Sequence, residues 1–185
     1  VCVCVRVRVC VRACVCVVVR AQDDTLEVMP LGAGQEVGRS CIICKFKDKT
    51  VMFDCGLHPG KEFEGSLPYL DYIDLETVDV CLITHFHIDH VGALPYLTEQ
   101  TTFQGRTFMT HPTKAISPMV LSDYVKQSTK ETMLFDEKDV DKCFSRVELI
   151  DYHQEKEVNG IKFWAYNAGH VLGAAMFMIE IAGVR

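Results

Sequence analysis

Between residues 26 and 181 short apolar runs alternate with polar punctuation at two different periods. Residues 26–31 and 41–46 read as strands, Asp48-Lys49 as a turn, and 50–53 as the returning strand of a hairpin. Residues 78–83 form a longer apolar run, and its Cys81-Leu82-Ile83 end has the character of a buried strand. Helical signals follow. A helix starts at 92–97, another spans 113–127 with Pro112 near its first position after Thr110 or His111, and a third covers 136–144. Further strands are expected at 107–110, 147–150, 161–166 (after the Asn159-Gly160 turn) and 176–181. Residues 67–73 suggest a short amphipathic helix or turn. Residues 151–157 suggest a charged loop with His153 facing solvent, and Trp164 is expected in the core. Strands and helices thus alternate along the chain.

Residues 1–20 do not fit this pattern. They contain only Val, Cys and Arg with one Ala, an alternation too monotonous to specify a strand register. Such a composition is what a translated dinucleotide repeat would give, and residues 1–24 are expected to lie outside the fold, with the domain at 25–185. Arg6, Arg8 and Arg12 ahead of an apolar stretch at 13–19 would also suit a secretory leader. Four arginines interrupt any window near twenty residues, so no membrane span is expected there.

The remainder has the length of one ordinary domain, and 49% hydrophobic with 24% charged residues is a globular balance. Of ten cysteines, five lie in the first sixteen residues. Cys41, Cys44, Cys55, Cys81 and Cys143 are scattered in apolar surroundings and read as buried free thiols of a reducing compartment. Four of the 19 basic residues and none of the 25 acidic ones fall in 1–20, so residues 21–185 carry a net charge of −10. That is an unusual balance for a chain that binds nucleic acid unaided.

The densest chemistry follows the apolar run at 78–83: Thr84-His85-Phe86-His87-Ile88-Asp89-His90. Residues at i and i+2 on an extended segment point to one side, so His85 and His87 can reach one metal ion together. Asp89 and His90 come just after and can face a second ion beside it. Nitrogen and carboxylate donors without thiolate suit zinc in a catalytic site. The alternative is a polar loop that happens to be rich in histidine. The glycine loop 32–38 is not a nucleotide cradle: a strand-like segment follows it where a helix would be needed, and Gly-Lys-Ser/Thr is missing. Asp54, at the end of the strand 50–53, could by itself simply cap a turn.

His85 to His90 match His-x-His-x-Asp-His, and the chain thereby resembles the metallo-β-lactamase superfamily. Leu31 to Ser40, Asp54-Cys55-Gly56 and Ala168 to Ala175 extend the likeness to the β-CASP branch of nucleases. Within that branch it is similar to the endonucleases that cut pre-mRNA before poly(A) addition, over roughly residues 26–185. Gln35-Glu36, His58-Pro59-Gly60 and Gly160 to Trp164 favour these over the Integrator-type relatives.

The resemblance implies an α/β fold (α+β by some schemes), the truncated N-terminal part of a four-layer αββα sandwich. It implies two Zn2+ ions, with His85, His87 and His170 on the first and Asp89 and His90 on the second. Asp54 would brace the ligand histidines. The family pattern continues beyond Arg185 with a bridging aspartate, the β-CASP insert and a histidine general acid, so the 185 residues are expected to form a partial, inactive site. The implied activity is two-metal phosphodiester hydrolysis of pre-mRNA in the nucleus, alongside other subunits of the cleavage and polyadenylation machinery, with no membrane association. A small-molecule hydrolase of thioesterase or lactamase type on the same scaffold stays open, since fold and ligands do not fix substrate. His58 and His111 are not expected among the ligands.

Overall fold

The computed structural model describes residues 4–9, 15–21, 24–129 and 133–185, those up to residue 24 as backbone alone. Cys2, Cys10, Cys14, Arg12 and Ala13 of the amino-terminal repeat lie outside the described residues. A large sheet runs β1 (Cys4–Val9), β2 (Val15–Ala21), β3 (Asp24–Gly32), β4 (Cys41–Phe46), β5 (Lys49–Phe53), β6 (Val80–Leu82), β7 (Arg106–Met109), β8 (Glu148–Leu149), in that spatial order. Its first five strands are antiparallel, and β5 to β8 are parallel. The backbone of β1 and β2 therefore continues the sheet outward from β3, into the stretch expected to lie outside the fold.

Parallel neighbours need crossovers, and helices supply two of them. Between β6 and β7 lie α1 (Ile88–Val91) and α2 (Leu94–Gln100). Between β7 and β8 lie α3 (His111–Gln127) and α4 (Glu137–Arg146). Pro112 sits in the first turn of α3, where no intrahelical N–H is required. A capping box starts α4: Asp136 accepts from the Asp139 amide, and Asp139 accepts from the Asp136 amide. A smaller antiparallel sheet, ordered β11 (Ala175–Ile181), β10 (Ile161–Asn167), β9 (Glu155–Val158), packs on the other face of the large one.

The central strands are buried on both faces, which explains their nearly continuous apolar sequence. Met52, Cys81 and Met109 point toward the helices, joining Val91, Leu94, Leu97, Leu121 and Val140. Their strand neighbours Val51, Val80, Leu82 and Phe108 point the opposite way and meet Ile161, Phe163, Ala165 and Ile181 of the small sheet. The Phe108 and Phe163 rings meet edge to face, 4.9 Å apart. These are the helix, sheet and sheet layers of the expected sandwich. The outer face of the small sheet exposes Tyr166, Met176 and Met178.

Two local expectations need correction. The stretch 151–157 is not all loop, because Glu155–Val158 forms β9 against β10; its charges mark a half-solvated edge strand. Trp164 is not core. On β10 the residues Ile161, Phe163 and Ala165 face inward, which turns Trp164 to the outer side with its Nε1 donating to Tyr166 Oη at 2.7 Å. Of the helix or turn expected at 67–73, the structure has the turn: a single 3-10 turn, Leu70–Tyr72, one of three between β5 and β6. All five cysteines expected as buried thiols are free and buried.

Candidate metal centre

The metal motif sits where strand β6 ends and α1 begins, and backbone from two other segments holds it. Cys55 N donates to His90 O at 2.8 Å, Leu57 N to Ile88 O at 2.9 Å, and Ser40 N to Asp89 O at 2.7 Å. The glycine loop thus reaches the motif through its far end, at Ser40. Gly56 lies so close beneath α1 that a Cβ there would fall 1.7 Å from the Asp89 carbonyl oxygen. No other residue fits. On the opposite side Ala175 N donates to Thr84 O at 2.8 Å, tying the start of β11 to the residue before His85.

His170 comes from the loop between β10 and β11. Asn167 Oδ1 accepts from Gly169 N at 2.7 Å, and Gly169 and His170 both adopt left-handed backbone, which turns the imidazole back toward the motif. Two buried hydroxyls anchor the loop's far end: Thr110 and Thr113 both donate to Gly173 O, at 2.6 and 3.3 Å.

The result is convergence. His85 Nε2 lies 3.0 Å from His87 Nδ1, and His170 Nε2 lies 3.2 Å from the same nitrogen. One ligand atom from each of the three residues falls within 4.8 Å of the others. Tetrahedral zinc with nitrogens at about 2.0–2.1 Å sets them roughly 3.3 Å apart, close to the 3.0 and 3.2 Å separations from His87 Nδ1. Asp89 and His90 form the adjoining pair: Asp89 Oδ2 is 3.6 Å from His90 Nε2, and the His90 ring centre is 4.1 Å from that of His85. The three-histidine group and this pair are thus neighbours; His58 and His111 are not part of the group. His58 Nδ1 instead accepts from Gly60 N at 3.1 Å.

Residues 43–183 match the metallo-beta-lactamase superfamily domain. The chain belongs to the metallo-beta-lactamase superfamily. It is 61% identical over 164 residues to cleavage and polyadenylation specificity factor subunit 3-I of Arabidopsis thaliana, covering 88% of this chain and 24% of that protein. It is 54% identical over 166 residues to cleavage and polyadenylation specificity factor 73 of Drosophila melanogaster, covering 89% and 24%. Endoribonuclease YSH1 of Saccharomyces cerevisiae is 50% identical over 176 residues, covering 90% and 23%. The chain spans about a quarter of the length of these curated relatives. A solved metallo-beta-lactamase from Cronobacter sakazakii superposes with a TM-score of 0.56 at 14% identity, covering 85% of this chain and 57% of that one. At that identity the likeness bears on fold alone. Superfamily and histidine cluster together point to metal binding at this place. No described helix is long and apolar enough to cross a membrane.

In this metallo-beta-lactamase domain Asp54 is buried beside His90 and Thr84, with left-handed backbone at φ 61°. Its Oδ1 accepts from Thr84 N at 2.7 Å. Its Oδ2 accepts from Thr84 Oγ1 at 2.9 Å and faces His90 Nδ1 at 2.8 Å. Burial raises the Asp54 carboxyl above its ordinary range, against the opposing pull of His90 and Thr84. Burial pushes His85 down to about 4, helped by the neighbouring His90, His87 and His170, so it is neutral near pH 7 with a lone pair to give. His90 rises instead: burial lowers it, but the Asp54 carboxylate outweighs that.

Two residues here escaped the sequence reading. Thr84 contacts both Asp54 and His85 Nδ1, the latter at 2.9 Å. Only its position between an apolar run and the first histidine marked it. Arg39 is buried with φ 46° and donates to Glu36, to Gly65 O and Leu67 O at 3.0 and 2.9 Å, and to Tyr69 Oη at 2.9 Å. It knits the glycine loop to the segment before β6. A buried arginine among glycines gives no periodic signal.

Proposed function

We propose that this domain is the metal-binding part of an RNA endonuclease that cuts pre-mRNA during 3′-end processing, by two-metal phosphodiester hydrolysis in the nucleus. The observation that carries the reading is the meeting of His85 Nε2, His87 Nδ1 and His170 Nε2 beside the Asp89–His90 pair. The names of the relatives supply the substrate class and the partners, namely other subunits of a cleavage and polyadenylation factor. In this reading His85, His87 and His170 hold one zinc ion, Asp89 and His90 contribute to a second, and Asp54 orients them. Zinc bound there supplies Lewis acidity toward a phosphate and lowers the pKa of a coordinated water toward about 7. The chain's own residues do the positioning. The β6–α1 turn and the 167–174 loop aim their nitrogens at one point from opposite sides. The remaining ligands and the acid that protonates the leaving oxygen belong, on this reading, to sequence outside these 185 residues. Residues 25–185 are read as the domain and 1–24 as an added segment, supported by the restricted alphabet of residues 1–20.

The test is zinc stoichiometry on the 185-residue chain beside His87→Ala, with RNA cleavage assayed on the same samples. The expected outcome is bound zinc in the parent, loss in the variant, and no cleavage by either. Absence of zinc from both would remove the metal reading for this chain. Cleavage by the parent would show that no residue outside the chain is required.

A further inference from the structure

The hydrogen-bond chain around Asp54 fixes more than ligand position. A hydroxyl has one proton to give, and an ionised carboxylate can only accept. Thr84 Oγ1 lies 2.9 Å from Asp54 Oδ2 and 2.9 Å from His85 Nδ1. Its proton goes to the carboxylate, which already accepts from the Thr84 amide on its other oxygen. Toward His85 the same hydroxyl oxygen is therefore an acceptor, and His85 Nδ1 must carry the hydrogen. The lone pair of His85 is then left on Nε2, the nitrogen that faces His87 Nδ1 at 3.0 Å. Across the carboxylate, His90 Nδ1 stands 2.8 Å from Asp54 Oδ2 and must also be the donor, so in the neutral His90 ring the lone pair lies on Nε2, 3.6 Å from Asp89 Oδ2.

We infer that Thr84 is a positioning residue: it relays Asp54 to His85, so that one buried carboxylate sets the tautomer of a histidine in each of the two donor groups. Asp54 reaches His90 directly and His85 only through this hydroxyl. The same residue is held at its carbonyl by Ala175 N, which fixes the relay against the strand that follows the His170 loop. A valine at 84 keeps the β-branched shape and loses the relay. A serine keeps the relay and loses only the methyl group. The inference rests on the metal reading for its consequence but not for its geometry.

Two measurements test it on the 185-residue chain. Long-range proton–nitrogen correlation of the metal-free parent at neutral pH reads the tautomers directly, and Nδ1–H is expected for both His85 and His90. An Nε2–H form of His85 would overturn the relay whether or not metal binds. Cobalt(II) affinity and the cobalt absorption spectrum are then compared for the parent, Thr84→Val and Thr84→Ser. Loss of an outer hydrogen-bond partner weakens metal binding about 10–100-fold, expected for valine with an altered spectrum, whereas serine stays within roughly threefold of the parent. Parent-like affinity and spectrum in Thr84→Val, or equal loss in both variants, would sink the assignment. A parent that binds no cobalt but shows the Nδ1–H form of His85 would refute the metal reading and leave the relay standing.

Discussion

Glu36 shows how a single side chain can hold the approach to the centre. Its carboxylate bonds Arg39 and meets Lys61 Nζ at 3.0 Å. The Arg39 guanidinium, against some loss of solvent and with help from Lys61, holds Glu36 down at about 2. A carboxyl with a depressed folded pKa binds fewer protons folded than unfolded over the interval between the two values. It therefore contributes stability that is fully present above about pH 4.5 and lost as pH falls through about 2. Glu36→Gln is expected to lower stability by about 1 kcal/mol at pH 7, since the group is partly screened by solvent. The gap between the two proteins should narrow at pH 3. Urea unfolding midpoints at both pH values check this, and a gap that is constant or wider at pH 3 would mean the ion pair is not its source. The effect extends past the pair, because Arg39 also binds the carbonyls of Gly65 and Leu67. Releasing it loosens the strap beside Ser40, whose amide holds the Asp89 carbonyl.

At the scale of elements, the site depends on two close approaches that tolerate no side chain. Gly56 under α1 is one. Gly173 is the other: its φ is +82°, and a Cβ there would stand 2.7 Å from Pro112 Cβ and 2.8 Å from Thr110 Oγ1. Gly173→Ala must push the 167–174 loop away from α3 and carry His170 off the shared point, while the β6–α1 ligands stay. Zinc affinity is expected to fall about 10-fold or more with the large sheet intact, as chelator competition and far-ultraviolet circular dichroism would report. An unchanged affinity would mean that the loop finds its place without the Thr110 and Thr113 anchors. These anchors also show what the sequence makes legible. The motif from His85 to His90 is local, so six residues reveal four donors, and the alternation of Val51 with Met52 or Val80 with Cys81 reveals strands buried on both sides. Thr84 as a relay, Arg39 as a hub and Thr110 as an anchor each depend on contacts between 26 and 63 residues apart in sequence. No periodicity encodes those. β9 is obscured differently: an edge strand with one wet face, Glu-Lys-Glu-Val, reads as a charged loop until its partner β10 is in place.

For the molecule as a whole, the two sheet faces that meet are well filled, and the outer face of the small sheet is not. Along β10 and β11 the outward pairs are Lys162 with Glu180, Trp164 with Met178 and Tyr166 with Met176. The first pair is charged, but the other two place four large side chains side by side, and Met176 is 56% exposed. Leu172, at 71% exposure, lies on the loop leading into the same strand. Scattered apolar residues on a surface need no explanation, whereas a contiguous apolar group on a flat sheet favours association. The net charge of −10 over residues 21–185 resists association in bulk, whereas beside this patch Glu180 is paired with Arg185, whose guanidinium lies over the Trp164 ring at 5.4 Å. The 185-residue chain is therefore expected to self-associate through this face as its concentration rises. Met176→Lys with Met178→Glu puts opposite charges on neighbouring positions of one strand face and should shift the protein toward monomer. Zinc binding should be retained, because both side chains point away from the inner layer that carries Ala165, Phe177 and Ile179. Light scattering across a dilution series, with zinc content measured on the same fractions, separates the outcomes. If the parent is monomeric throughout and unfolds in one cooperative step, the exposed face does not drive association. If the double variant becomes monomeric but loses zinc, the outer face is coupled to the 167–174 loop more tightly than these contacts indicate.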